Sequence, residues 1–264
     1  MNGRTVRRAA ALAATGLALG AVTGWLAPAA DPMPLAGASL PTGAPVFSNP
    51  LEIDHEFFPV RPGAIKLFTG KDGREDVTIV EFHLVATRTF TWNAVAIECR
   101  AIRESTFIDG NIFETSLNWY AQADDGSVYF FGEVSYEGLV PADTADAEEQ
   151  GVFGWVVGDP QPGDPAGTET SPGPFLFMPA NVEPGDVWKP EDLGTVVDET
   201  DEAIRIDRRI RVPAGRFTDC LRVVDTSALD PGEETKWYAP GQGVIKARSR
   251  GEISRLLAST LGTQ

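Results

Sequence analysis

The chain has 264 residues, with 38 Asp and Glu against 22 Lys and Arg, for a formal charge of −16 at neutral pH. Such an acidic chain excludes nucleic acid as a partner, because binding it requires Lys/Arg surfaces that displace counterions. Two cysteines and two histidines leave little for thiol catalysis or for Cys/His metal sites.

Residues 1–30 have the layout of a secretory signal peptide. Arg4, Arg7 and Arg8 precede an apolar run, Ala9 to Leu26, and the small-residue stretch "APAADP" follows it. Cleavage after Ala29 or Ala30 takes the charge from −16 to −19, since three arginines leave. The expected location is secreted, periplasmic or cell envelope, with no stable membrane insertion after cleavage. The alternative is an uncleaved N-terminal membrane anchor, because about 20 apolar residues span a bilayer. Residues 31–50, rich in Pro, Gly, Ala and Ser, read as a flexible tether.

Residues 51–138 read as a first β repeat. Val95, Ile97, Cys99 and Ala101 alternate with Ala96, Glu98, Arg100 and Ile102, the period of a half-buried strand. Phe113, Thr115, Leu117, Trp119 and Ala121 share one face of the next strand, "ADDG" turns the chain, and Val128 to Glu133 returns. Residues 139–180 form an acidic, Pro/Gly-rich excursion, "ADTADAEEQ" leading to "GDPQPGDPAGTETSPGP". Repeated prolines remove ladder donors, so this segment is not expected to continue a sheet. Residues 181–250 read as a second β repeat. In residues 251–264, the helical spacing of Ile253, Leu256, Leu257 and Leu261 predicts a short C-terminal helix and tail.

The two β segments echo one another. Cys99 follows Gly63 of a Pro-Gly pair by 36 residues, and Trp119-Tyr120-Ala121 begins 20 further on. Cys220 follows Gly185 of another Pro-Gly pair by 35 residues, and Trp237-Tyr238-Ala239 begins 17 further on. The expected fold is therefore mainly β: a duplicated antiparallel meander, within one domain, forming a strongly curved sheet of half-barrel or barrel-like form. A β-sandwich is the alternative.

Several constellations could carry chemistry. Cys99 and Cys220 occupy equivalent repeat positions, and a disulfide between them would stabilise an exported chain by about 4–5 kcal/mol; the other reading is two separate buried thiols. Asp124 and Asp125 at the hairpin tip, with Glu133, offer oxygens to Ca2+ without an EF-hand spacing; no other cofactor is expected. His55 in "LEIDHEFFP" and His83, on a face with Glu81, lack a metal-site spacing. Glu114 and Glu133 are the candidates for a glycosidase-like acid and base pair. Trp119, Tyr120, Gln122, Tyr129, Glu133 and Tyr238 are the candidate ligand-binding residues, weighed against an aromatic core that would use the same rings on both faces of a covered sheet.

The motifs "EFFPVRPG", "LNWYAQADDGSVYFFGE" and "KWYAPGQGVIKA" resemble those of a set of exported bacterial proteins. These carry a Tyr-Phe-Pro-x-x-Pro-Gly opening, a Trp-Tyr-Ala-Gln-Asp hairpin and a late Tyr-Ala-Pro-Gly-x-Gly strand. The last motif is loosely similar to curved-sheet proteins of the lipoprotein-carrier type, which hold acyl chains in a half-barrel. The chain departs at Phe57, where Tyr is expected, and at Asn118, where Asp often precedes the Trp. The resemblance implies export and a curved β fold. The expected function is non-catalytic binding of an apolar or ring-bearing ligand in a curved-sheet groove, with lipid, glycan or another small ligand as partner. The alternatives are an extracellular carbohydrate-active hydrolase or lyase using paired carboxylates, and a structural cell-envelope protein.

Overall fold

The computed structural model describes residues 40–229 and 232–262; the expected signal peptide lies outside them, as does the tether up to residue 39. Among the described residues no helix is long and apolar enough to cross a membrane. The elements run in order β1 (Ile65–Asp72), β2 (Glu75–Trp92), β3 (Val95–Ile108), β4 (Asn111–Gln122), β5 (Val128–Glu137), α1 (Thr144–Gln150), β6 (Gly151–Val157), β7 (Glu169–Ser171) and β8 (Phe175–Met178). They continue with β9 (Val187–Asp192), β10 (Asp198–Asp207), β11 (Ile210–Val212), β12 (Gly215–Phe217), β13 (Cys220–Ser227), β14 (Glu233–Ala239), β15 (Gly243–Arg248) and β16 (Glu252–Ser259).

One 14-stranded sheet carries the fold, in the order β7-β6-β5-β4-β3-β2-β1-β16-β15-β14-β13-β10-β9, with β8 also paired to β5. All its ladders are antiparallel except β6 with β7. The path is open: among the described residues no ladder closes it, and the fold is a large sheet rather than a closed barrel or a strongly curled half-barrel. The ladders are continuous from β7 to β9.

Local chemistry repeats along this path. Arg61-Pro62-Gly63-Ala64 and Glu183-Pro184-Gly185-Asp186 are both tight turns closed by a backbone bond, Ala64 N to Arg61 O and Asp186 N to Glu183 O, each 3.0 Å. Each turn docks on the second strand after it in the same way: Gly63 N and Ala64 O bond His83 of β2, whereas Gly185 N and Asp186 O bond Ala203 of β10. The Pro supplies the fixed φ, and Gly63 and Gly185 take φ of +83° and +102°. Both Trp-Tyr hairpins also slip register at one step, between Trp119 and Tyr120 against β5 and between Trp237 and Tyr238 against β15. Such a bulge re-aims the side chains that follow it. In the first hairpin it places Gly132 at φ +152°, where a Cβ would lie 2.7 Å from the Trp155 carbonyl. Gly132→Ala is expected to destabilise the protein by roughly 2 kcal/mol or more, read from urea unfolding midpoints.

Three expectations are corrected. The C-terminal helix is instead strand β16, paired with β1 and β15. Its helical leucine spacing is overridden by two neighbours that offer ladders, so Leu256 is buried while Leu257 is 43% exposed. The excursion does continue the sheet, through β6, β7 and β8, with its prolines in the connections apart from the strands; the acidic run forms α1, capped by Asp143 onto Ala145 N. Residues 46–50 of the tether lie on the sheet: Phe47 packs edge-on against Trp92, Tyr129 and Phe131, and Pro50 O accepts from Gln122 N.

The sheet is covered on both faces, which accounts for rings on both sides of β4 and β5. On one side Arg88 lies over the Trp119 and Phe90 rings and makes a two-pronged ion pair with Asp164, at 2.6 and 2.7 Å, tying the excursion down. On the other, Tyr120 stacks on Phe130 at 4.7 Å and meets Phe58 and Phe177 edge-on. Such ring pairs contribute about 0.5–1.5 kcal/mol each beyond their burial.

Candidate functional site

The face that carries Tyr120 also buries an unusual number of charged side chains. Strand alternation sets Lys66, Glu81, Glu104, Asn118 and Glu133 on it, with Asp201, Asp225 and Lys236 in the second meander; all are buried. Like charges lie directly opposite each other repeatedly: Glu81 against Glu104, Asp201 against Asp225, Asp225 against Glu234 and Glu191 against Glu199. Opposed like charges destabilise a sheet, and two lysines offset the first three of these pairs. Lys66 Nζ reaches Glu81 at 3.1 Å from β1, and Lys236 Nζ reaches Asp225 at 2.7 Å and Glu234 at 3.5 Å from β14.

Glu81 holds a second partner. His83 Nδ1 accepts from Arg61 N at 3.0 Å, so the proton sits on Nε2, which donates to Glu81 at 2.8 Å. Burial alone would raise the Glu81 pKa, but Lys66 and His83 reverse this and hold it at about 2. The unpaired acids behave oppositely. Burial pushes Glu133, Glu199 and Asp201 well above the usual carboxylate range, with Glu191 adding to the effect on Glu133 and Asp225 to that on Glu199. Glu191 is raised to about 8 by burial, although Trp155 Nε1 donates to it at 2.6 Å.

A small pocket opens on this face, lined by Lys66, Glu81, Glu104 and Asn118 together with the rings of Phe58, Phe177, Tyr120 and Tyr238. The free space is about 30 Å3, enough for about two waters. Phe58 arrives on the segment before β1. His55 anchors that segment by accepting from Phe57 N at 3.1 Å and donating to Pro179 O at 2.9 Å. Burial lowers the His55 pKa.

Of the residues expected to bind a ligand, Tyr120 and Tyr238 line the pocket, and Glu133 lies opposite Asn118 on the neighbouring strand. Trp119 points to the other face, against Arg88 and Phe90. Gln122 clamps the segment before β1, accepting from Asp54 N and His55 N and donating to Asp54. Tyr129 packs on Phe47. The hairpin-tip aspartates serve the backbone: Asp124 accepts from Ser48 N and Oγ at 2.7 and 2.8 Å, and Asp125 from Ser127 N. Among the described residues no three His, Cys, Asp or Glu converge to hold a metal ion, and both nitrogens of each histidine are already engaged. Glu114 pairs with Glu137 and Glu133 with Asn118, four positions along, about 13 Å of strand, so the hairpin does not set the expected acid pair opposite one another.

The Cys99–Cys220 disulfide is not formed; both are free and buried. Six strand-to-strand steps separate β3 from β13 along the ladder path. Burial raises both thiol pKa values, Cys220 to about 12. Ellman titration is expected to find two thiols in denaturant and almost none reacting promptly in the native protein; a denatured count of zero would restore the bridge.

The pocket residues missed from sequence, Lys66, Glu104, Asn118 and Phe177 among them, had one signal: a charge or amide at the core phase of strand alternation, as in Ile79, Glu81, His83 or Val223, Asp225. The class defined is a large, mainly antiparallel β protein whose buried face is acidic around a pocket of rings. No family model matches the chain, and no curated protein does. Among solved structures, a "putative lipoprotein" from Parabacteroides distasonis ATCC 8503 is 14% identical, with a TM-score of 0.42 over 78% of this chain and 99% of that one.

Proposed function

We propose that the protein is a non-catalytic binding protein of the cell envelope, which holds a small ligand with its polar head in this pocket and an apolar or ring-bearing body against the rings. The observation that carries the reading is the pocket's mixed lining, four aromatic rings together with Lys66, Glu81, Glu104 and Asn118, the usual make-up of a small-molecule site. The reading treats this face as a groove. Trp155 and Glu191, on β6 and β9 towards opposite ends of the ladder path, bond to one another across it. Free space of about 30 Å3 fits a head group better than a sugar chain, which favours binding over hydrolysis by paired carboxylates. A ligand body would seat under Phe58, which is half-buried.

Native mass spectrometry of protein purified from its own cells tests this. The expected result is one bound small molecule per chain, lost in Phe58→Ala while the fold persists by circular dichroism. Repeated recovery of empty chains would overturn the proposal.

A further inference from the structure

The buried face is poor in donors that are not already engaged. Among the described residues, the buried side-chain atoms without a hydrogen-bond partner include Asn118 Oδ1, both Glu133 carboxylate oxygens, Glu191 Oε2, Glu199 Oε2 and Asp201 Oδ1. The remaining two are the Ser135 hydroxyl, which can donate or accept, and Arg88 Nε in the Asp164 pair. Buried acceptors in folded proteins are almost always satisfied; the raised acids keep protons that their own oxygens can share, but the Asn118 amide oxygen has no such donor. Free cations are scarce on this face too. Lys66 and Lys236 are taken by Glu81, Asp225 and Glu234, and no ion pair among the described residues reaches Glu133, Glu191, Glu199 or Asp201.

Asn118 makes this more than an acidic cluster. It is an amide, 1% exposed, and it lines the pocket. Its Nδ2 donates to Ser116 Oγ at 3.0 Å, which leaves its oxygen buried and unpartnered. Glu133 stands directly across the ladder from it, 0% exposed and with both oxygens bare. A divalent metal needs several converging ligands, and no such group exists among the described residues. An ammonium brings three N–H donors and one positive charge, and the Tyr120, Tyr238, Phe58 and Phe177 rings offer the π faces that attract cations.

We propose that the pocket takes the primary ammonium group of an alkylamine, with Asn118 Oδ1 and Glu133 as its acceptors and the ring cluster around its first carbons. This rests on the binding reading above and names the chemical class of the head group. Lys66 does not oppose it, because Glu81 already holds that charge at 3.1 Å.

The test uses the whole chain and n-butylammonium chloride, with sodium butyrate, calcium chloride and sodium chloride at equal ionic strength. Two signals are read: the melting temperature and the 15N–1H resonance of the Trp155 indole, which reports on Glu191 without requiring unfolding. n-Butylammonium is expected to raise the melting temperature by a few degrees and move the indole signal, both saturably, while the other salts do neither. Glu133→Gln and Asn118→Leu are each expected to weaken the effect at least tenfold. A larger response to butyrate or calcium, or undiminished binding in both variants, would overturn the inference. If native mass spectrometry recovers a neutral or anionic ligand that Phe58→Ala releases, the binding reading stands and the ammonium fails. If no probe binds and the chain is always empty, both fall.

Discussion

Replacing Lys66 with methionine is expected to cost about 3–5 kcal/mol, because it strands Glu81 as a buried charge opposite Glu104. The loss corresponds to a fall in melting temperature on the order of 10 °C for a domain of this size. The double variant Lys66→Met/Glu81→Gln is expected to recover much of the loss, since the penalty lies in the abandoned carboxylate rather than in the lysine. A single variant within about 1 kcal/mol of wild type would show that the pair is solvated in practice. Acid unfolding provides a second reading. The Glu81 pKa is about 2 in the fold against an ordinary 4.5, so its contribution is fully present above pH 4.5 and is lost as pH falls through about 2. That difference corresponds to about 3 kcal/mol, and it should vanish from the acid limb of Lys66→Met.

The second large effect is expected at the other end of the pH scale. Glu191 titrates at about 8 in the fold and near 4.5 when unfolded. Between those values the unfolded chain has given up its proton and the folded chain has not, so stability declines as pH rises. The scale of this decline is about 5 kcal/mol, and the acids raised alongside it, Glu133, Glu199 and Asp201, act in the same direction. Glu191→Gln keeps an oxygen to accept from Trp155 but cannot ionise. It is expected to match wild type at pH 5 and to be markedly more stable at pH 9, by differential scanning calorimetry in buffers of constant ionic strength. Parallel wild-type and variant curves would refute the assignment. The maximum of stability is thus expected near pH 5, between the acid loss at Glu81 and the alkaline loss at Glu191.

What the sequence disclosed was what neighbours in the chain control. The Pro62-Gly63 and Pro184-Gly185 turns are legible because proline and glycine restrict their own backbones, and the Trp119 and Trp237 hairpins are legible from two-residue alternation. Strand β16 was misread because its leucines fit a helical period as well as an extended one. Only its pairing with β1, almost 200 residues earlier in the chain, decides between them. Likewise β6 to β8 hide among prolines that fall just outside the paired segments. The site was half visible. Tyr120, Tyr238 and Glu133 could be nominated by type, but the meeting of Lys66 with Glu81, or of Trp155 with Glu191, depends on which strands become neighbours. A lysine at a core-phase position gives no local sign of the carboxylate that will hold it.

The pairing of β1 with β16 also governs when the protein can become itself. Ile65 and Thr260 are bonded across 195 residues of sequence, so the two meanders are stitched together by β16, the last of the described strands. A chain still emerging from the ribosome or a translocation pore has β1 and β15 exposed as bare edges, ready to pair with any other extended strand. Ribosome-stalled chains ending before Glu252 are therefore expected to be protease-sensitive and to aggregate, and release of β16, Glu252–Ser259, should be the step that confers resistance.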